Sequence, residues 1–134
     1  MTLVKELMTE NLFTLAENHP LDLAKDMMDW KNIRHIPVVD HGNHLVGLIT
    51  HRDLLKAAMS SLTEVSKEDR RDHFRHHRVS ELMQKEILTA GPDMPIKKAA
   101  QLMRDNRVGC LPVVDRENVL KGIITEADFL TLSW

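Results

Sequence analysis

Apolar and polar positions alternate along this chain in a pattern that occurs twice. Ile96, Ala99, Ala100 and Met103 fall at i, i+3, i+4 and i+7, the stripe of one helix face. Leu21, Ala24 and Met28 draw a thinner stripe of the same phase. Residues 36–39 and 111–114 are short unbroken apolar runs and read as buried strands. Each is followed by a polar turn, His41-Gly42-Asn43 or Arg116-Glu117-Asn118, and then by a returning apolar run at 45–49 or 120–124. That order predicts a β-hairpin in each half. Residues 12–15 and 87–90 are further short strand candidates. Asn18 and Asp93 are expected to cap the striped helices, with Pro20 and Pro95 in the first turn, where a missing N–H costs little. A further helix is expected to begin near Thr50 and near Thr125.

The halves are copies. A shift of 75 positions lays Val4 on Val79 and Asp53 on Asp128 with no gap between. VKELMTENLFT then faces VSELMQKEILT, and IPVVDHGNHLVGLIT faces LPVVDRENVLKGIIT. Pro20, Ala24, Met28 and Pro37 meet Pro95, Ala99, Met103 and Pro112. Register kept over so long a span marks a structural repeat. The fold class expected is α+β: two β-α-β-β-α repeats packed through their sheets around a pseudo-two-fold axis, because a core of about 50 residues is marginal alone. The boundaries read from sequence are residues 1–60 for the first repeat, 61–78 for a charged connection and 79–134 for the second repeat.

Composition narrows the field. The chain has 134 residues and a formal net charge of -2, which gives no sign of a general nucleic-acid binder. Cys110 is the lone cysteine, so no internal disulfide framework is possible and a reducing compartment is expected. No apolar run reaches the roughly 18 residues needed to cross a bilayer. The start, MTLVKELMTEN, is amphipathic and lacks the form of a secretory signal. A cytoplasmic protein with no membrane or nucleic-acid partner is the expectation.

The densest chemistry lies in GLITHRD, residues 47–53, and its copy GIITEAD, residues 122–128. One reading is local. Thr50 and Thr125 are helix N-caps with Asp53 and Asp128 at the third helical position, a variant of the capping box. Such a cap contributes about 1 kcal/mol. The other reading is a ligand site. A helix N-terminus suits phosphate, a threonine hydroxyl adds a donor, and a carboxylate can accept both hydroxyls of a ribose diol. A strand glycine lets a flat group approach the backbone.

The doubled unit, IPVVD or LPVVD, the hairpin and the repeated G-aliphatic-aliphatic-T-x-x-D motif together resemble a tandem pair of CBS domains, the domain named for cystathionine β-synthase. The resemblance covers nearly the whole chain. It implies a regulatory module and not an enzyme. The implied ligand is an adenosyl compound: AMP, ADP, ATP or S-adenosylmethionine. The implied assembly is a homodimer that acts on a partner protein in trans. By the family pattern Asp53 and Asp128 hold ribose, and Thr50 and Thr125 lie near ribose or phosphate. Thr89 is expected beside the Asp53 site and Thr14 beside the Asp128 site. The residues just before the strand, Arg34 and His35, are expected to face phosphate. Members of the family also exist with vacant clefts, which leaves a purely structural dimerisation module as the alternative.

The copies differ in charge. Arg34, His35, His51 and Arg52 in the first stand against Gly109, Cys110, Glu126 and Ala127 in the second. Arginine is well shaped for phosphate, so the Asp53 site is expected to take a phosphorylated ligand and the Asp128 site a less anionic one or none. His73, His76 and His77 share helical spacing and define a weaker metal-binding reading. Met8, Met28, Met83 and Met103 occupy matched positions and are expected to fill apolar packing. Nucleophile elbow, P-loop, HExxH and CxxC patterns do not occur.

Overall fold

The computed structural model describes residues 1–61 and 74–132. In order, the elements are α1 (Val4–Leu7), α2 (Leu21–Lys31), β1 (His35–Val39), β2 (Leu45–Thr50), α3 (His51–Ser61), α4 (Val79–Leu82), α5 (Ile96–Asn106), β3 (Cys110–Val114), β4 (Leu120–Thr125) and a 3-10 segment Glu126–Thr131. The fold is α+β, with two two-stranded sheets, β1-β2 and β3-β4. Both hairpins lie where the apolar runs place them. Asn43 and Asn118 take left-handed backbone at their tips, with φ of 64° and 67°, a conformation asparagine tolerates better than most residues.

The chain forms two compact units, and each draws on both repeats. One comprises Phe13–Asp40 and Val46–Ile87. Its core joins Leu15, Leu21, Met28, Ile36, Ile49 and Leu54 to Val79 and Met83 of α4 and its C-terminal cap. The other comprises Met1–Leu12, His41–Leu45 and Leu88–Trp134. Its core joins Ile96, Ala99, Met103, Leu111 and Ile124 to Val4 of α1. The short leading helix of each repeat thus completes the core of the unit that holds the other repeat's hairpin.

That arrangement caps the long helices. Asn18 and Asp93 do not cap them; Pro20 and Pro95 occupy the N-cap positions and offer no side-chain hydrogen bond. Instead the N–H of Leu21 donates to the carbonyl of His77 at 2.8 Å, and the N–H of Ile96 donates to the carbonyl of Thr2 at 2.9 Å. The leading segments are held in return: Val79 N–H donates to His19 and Val4 N–H to Met94, each at 2.9 Å. A helix N-terminus needs acceptors for its free N–H groups, and here a remote backbone supplies one. Of the predicted stripe on α5, Ile96, Ala99 and Met103 are buried, and Ala100 is half-buried.

The first strand candidates shrink to single bridges. Leu15 pairs with Val38 and Ala90 with Val113, both parallel. Leu15 N–H donates to the Pro37 carbonyl, and the Leu15 carbonyl accepts from Val39 N–H. The next ladder bond would need an N–H at Pro37, which proline lacks. Pro112 imposes the same stop in the second copy. The closing elements also differ: α3 is a full helix, whereas its counterpart is the 3-10 segment, ending with Leu132 N–H on the Phe129 carbonyl at 3.2 Å.

Candidate functional site

The motif adopts the capping box in both copies. In the first, Thr50 N–H donates to Asp53 Oδ2 at 3.0 Å, Thr50 Oγ1 donates to the same oxygen at 2.8 Å, and Asp53 N–H donates to Thr50 Oγ1 at 3.2 Å. In the second, Thr125 N–H lies 2.8 Å and Thr125 Oγ1 3.4 Å from Asp128 Oδ2. The motif carboxylates therefore hold the turn from strand into helix. They are half-buried, so one side of each still faces outward.

A backbone link draws the rest of the first copy together. His51 N–H donates to the Arg34 carbonyl at 2.8 Å. This bond joins the residue before β1 to the first residue of α3. Arg34, His35, Thr50, His51, Arg52 and Asp53 thus gather at one end of the β1-β2 hairpin, with Arg34 and Arg52 exposed. Glu126 N–H reaches the Gly109 carbonyl in the same way at 3.3 Å. That end of β3-β4 presents Glu126 and no cation from Gly109 or Ala127, and Cys110 is buried. Thr14 and Thr89 are half-buried and immediately precede the bridging residues Leu15 and Ala90. Thr14 lies in the unit that holds Asp53, and Thr89 in the unit that holds Asp128.

The glycines of the motif have a different role from the one expected. A Cβ on Gly47 would lie 2.9 Å from Met83 Cγ. One on Gly122 would lie 2.7 Å from Met8 Sδ and 2.9 Å from the Thr9 carbonyl oxygen. The group that approaches the strand backbone is the leading segment of the other repeat. Gln84 and Leu48 exchange backbone hydrogen bonds at 3.0 and 2.8 Å, and Thr9 and Ile123 at 2.8 and 3.0 Å. Met8 and Met83 fill apolar packing as the repeat suggests.

The same segments reach the carboxylates. Gln84 Nε2 lies 3.1 Å from Asp53 Oδ2 and 3.4 Å from Oδ1. Thr9 Oγ1 lies 3.3 Å from Asp128 Oδ1. Neither residue stands out in the motif itself. The signal available in the sequence is that the 75-residue shift lays Thr9 on Gln84, directly after the matched methionines.

The metal reading includes His73, which lies outside the described residues. Among the described residues no group of three or more histidine, cysteine or acidic side chains is placed to hold a metal. His77 Nδ1 instead pairs with Glu81 Oε1 at 3.1 Å. Burial pushes the Cys110 thiol up to about 12, so it is a neutral packing group at physiological pH. Among the described residues no helix is long and apolar enough to cross a membrane.

Comparison with known proteins agrees with this architecture. The CBS domain family matches residues 4–60 and 79–134. A CBS domain-containing protein of Dictyostelium discoideum is 40% identical over 97% of this chain and 90% of its own length. The CBS domain pair of protein MJ0100, solved with 5′-methylthioadenosine and S-adenosyl-L-methionine, is 28% identical with a TM-score of 0.79, over 97% of this chain and 94% of that one. CBSX2, solved with AMP, is 26% identical with a TM-score of 0.81 and the same coverage of both chains. Longer relatives carry the stretch as a part: the chain spans 23% of the homoserine O-acetyltransferase of Methanococcus vannielii, at 35% identity.

Proposed function

This chain belongs to the CBS-domain family as a tandem pair, and on that premise we propose that it is a regulatory module that binds an adenosyl ligand and acts through a partner protein. The ligand class is supported by the solved relatives that hold S-adenosyl-L-methionine, 5′-methylthioadenosine and AMP. The observation that carries the reading is the gathering of Asp53 and four nitrogen-bearing side chains around the His51–Arg34 backbone bond. Asp53 with Thr50 takes the ribose. Arg34, His35, His51 and Arg52 favour a phosphorylated ligand, AMP, ADP or ATP, because charge-assisted hydrogen bonds to phosphate are the strong ones. Thr125 and Asp128, with Glu126 beside them, suit a less anionic adenosyl compound such as S-adenosylmethionine. Thr14 and Thr89 are further contacts that the family pattern assigns. The module is a homodimer in this reading, and ligand shifts its shape only by differential affinity for two states.

Thermal unfolding with AMP, ADP, ATP, S-adenosylmethionine and adenosine in turn tests the proposal. A ligand at about 100 times its Kd adds about 2.7 kcal/mol and raises the midpoint by several degrees. No shift with any of them overturns it. The second reading, a dimerisation module with vacant clefts, is favoured by one observation: both motif carboxylates already have protein donors. Dimerisation that is indifferent to every nucleotide would support that second reading.

A further inference from the structure

We infer that Gln84 is an internal stand-in for a ligand hydroxyl: its amide occupies the Asp53 carboxylate and leaves when a ribose diol binds, which sets the affinity of that site. The inference rests on the reading of Asp53 as the ribose-holding residue.

A carboxylate offers about four lone-pair positions. Thr50 uses Oδ2 of Asp53 twice, through its N–H and its hydroxyl. These bonds form the cap of α3 and stay in place as long as the helix does. Oδ2 is thereby filled by the cap, so the open acceptor positions are those of Oδ1, and a ribose hydroxyl must take them while its neighbour shares Oδ2 with Thr50. Gln84 Nε2 sits across both oxygens, 3.1 Å from Oδ2 and 3.4 Å from Oδ1. Amide and diol therefore compete for the same acceptors.

The competitor is built to move by side chain alone. Its backbone is held on β2 by the paired bonds with Leu48. The preceding Met83 is buried over Gly47. The Gln84 side chain itself is exposed, so it can swing to water without disturbing the strand. The plug lowers affinity and does not close the site. The other copy holds the same anchor with a smaller group. Thr9 is tied to Ile123 by the equivalent backbone pair, and its hydroxyl reaches Asp128 Oδ1 alone, at 3.3 Å. This repeat position thus tunes how far each motif carboxylate is occupied by the protein itself.

Isothermal titration with adenosine and AMP, and with 2′,3′-dideoxyadenosine as the probe lacking the diol, tests this. The proteins compared are the full chain, Gln84→Ala, Asp53→Ala and the double variant. Gln84→Ala is expected to bind adenosine and AMP about three- to tenfold tighter, the range one surface hydrogen bond covers. The gain should be absent for dideoxyadenosine and absent in the double variant. Gln84→Ala should unfold without ligand close to the temperature of the parent. Binding that is lost in Asp53→Ala but unchanged or weaker in Gln84→Ala overturns the stand-in role and leaves the ribose site intact. Binding indifferent to Asp53→Ala, or no binding to any of the proteins, overturns the functional reading and this inference with it.

Discussion

The Asp53 and Asp128 ends of the two hairpins share the backbone from strand to capped turn and differ in almost every side chain around it. Each has a threonine–aspartate cap, a strand glycine under a methionine, and a backbone bond from the helix start to the residue before the strand. Around that frame the first copy carries Arg34, His35, His51, Arg52 and Gln84, where the second has Gly109, Cys110, Glu126, Ala127 and Thr9. The frame is built from backbone hydrogen bonds and buried apolar contacts, which any change in it would break. Among the flanking residues Arg34, Arg52, Gln84, Glu126, Ala127 and Thr9 are exposed, so their side chains can diverge at little cost to that frame. The difference between the copies is therefore the place to look for ligand choice, and their likeness is the place to look for stability.

The largest expected effect separates the aspartates. Asp53→Ala should weaken AMP roughly 10- to 100-fold, since hydrogen bonds to a charged group contribute about 1.5–3 kcal/mol. Asp128→Ala should leave AMP binding within about twofold if the copies are as unequal as their charges suggest; titration calorimetry on both decides it. Equal losses would mean that both ends take the same phosphorylated ligand.

The glycines give the next contrast, in stability and not binding. A methyl at Gly122 meets the Thr9 carbonyl oxygen at 2.9 Å, and backbone yields poorly. A methyl at Gly47 meets Sδ and Cγ of Met83, side-chain atoms that can shift where backbone cannot, and finds the Gln84 carbonyl only at 3.3 Å. Gly122→Ala should cost about 2–3 kcal/mol and Gly47→Ala about 1 kcal/mol in urea unfolding, the usual range for overpacking. Equal costs would show that Met83 is as firmly held as the strand behind Met8.

Arg34→Ala sharpens the charge difference. AMP should weaken about five- to tenfold, as expected for one charge-assisted contact to phosphate, with adenosine nearly unchanged. Equal weakening of both would remove Arg34 from the phosphate reading. The smallest effect concerns its neighbour's counterpart, since His35 aligns with Cys110. Burial raises the Cys110 thiol from 9.0 to about 12. A raised value means the folded state favours the neutral thiol. That stabilisation is complete below about pH 9 and is lost as pH climbs toward 12. Alkylation of the native protein at pH 8 should be far slower than of the unfolded chain; fast native labelling would contradict the burial.

Much of this was legible in the residues. The 75-residue shift, the apolar runs on either side of a polar turn and the i, i+3, i+4, i+7 stripe place the hairpins and α5 correctly. Thr50 with Asp53 and Thr125 with Asp128 are recognisable as caps because the capping box is local, closing within three residues. The charge contrast between the copies is equally a property of the chain as written. Residues 12–15 and 87–90 were less legible, because a strand ladder depends on its neighbour, and the missing N–H of Pro37 or Pro112 acts on a partner strand.

Only the tertiary structure decided which segment completes which unit. The sequence by itself determined two copies of one unit, each with its helix stripe, hairpin and capped motif. It did not determine that α4 packs with the β1-β2 hairpin and α1 with β3-β4, that carbonyls of Thr2 and His77 cap the long helices, or that Gln84 and Thr9 meet the motif carboxylates. The physical reason is common to all three. These arrangements rest on backbone N–H and C=O groups, which nearly every residue carries, or on side chains that become neighbours only after the backbone has paired. Such bonds leave no mark on residue type, apart from the glycine that makes room for them.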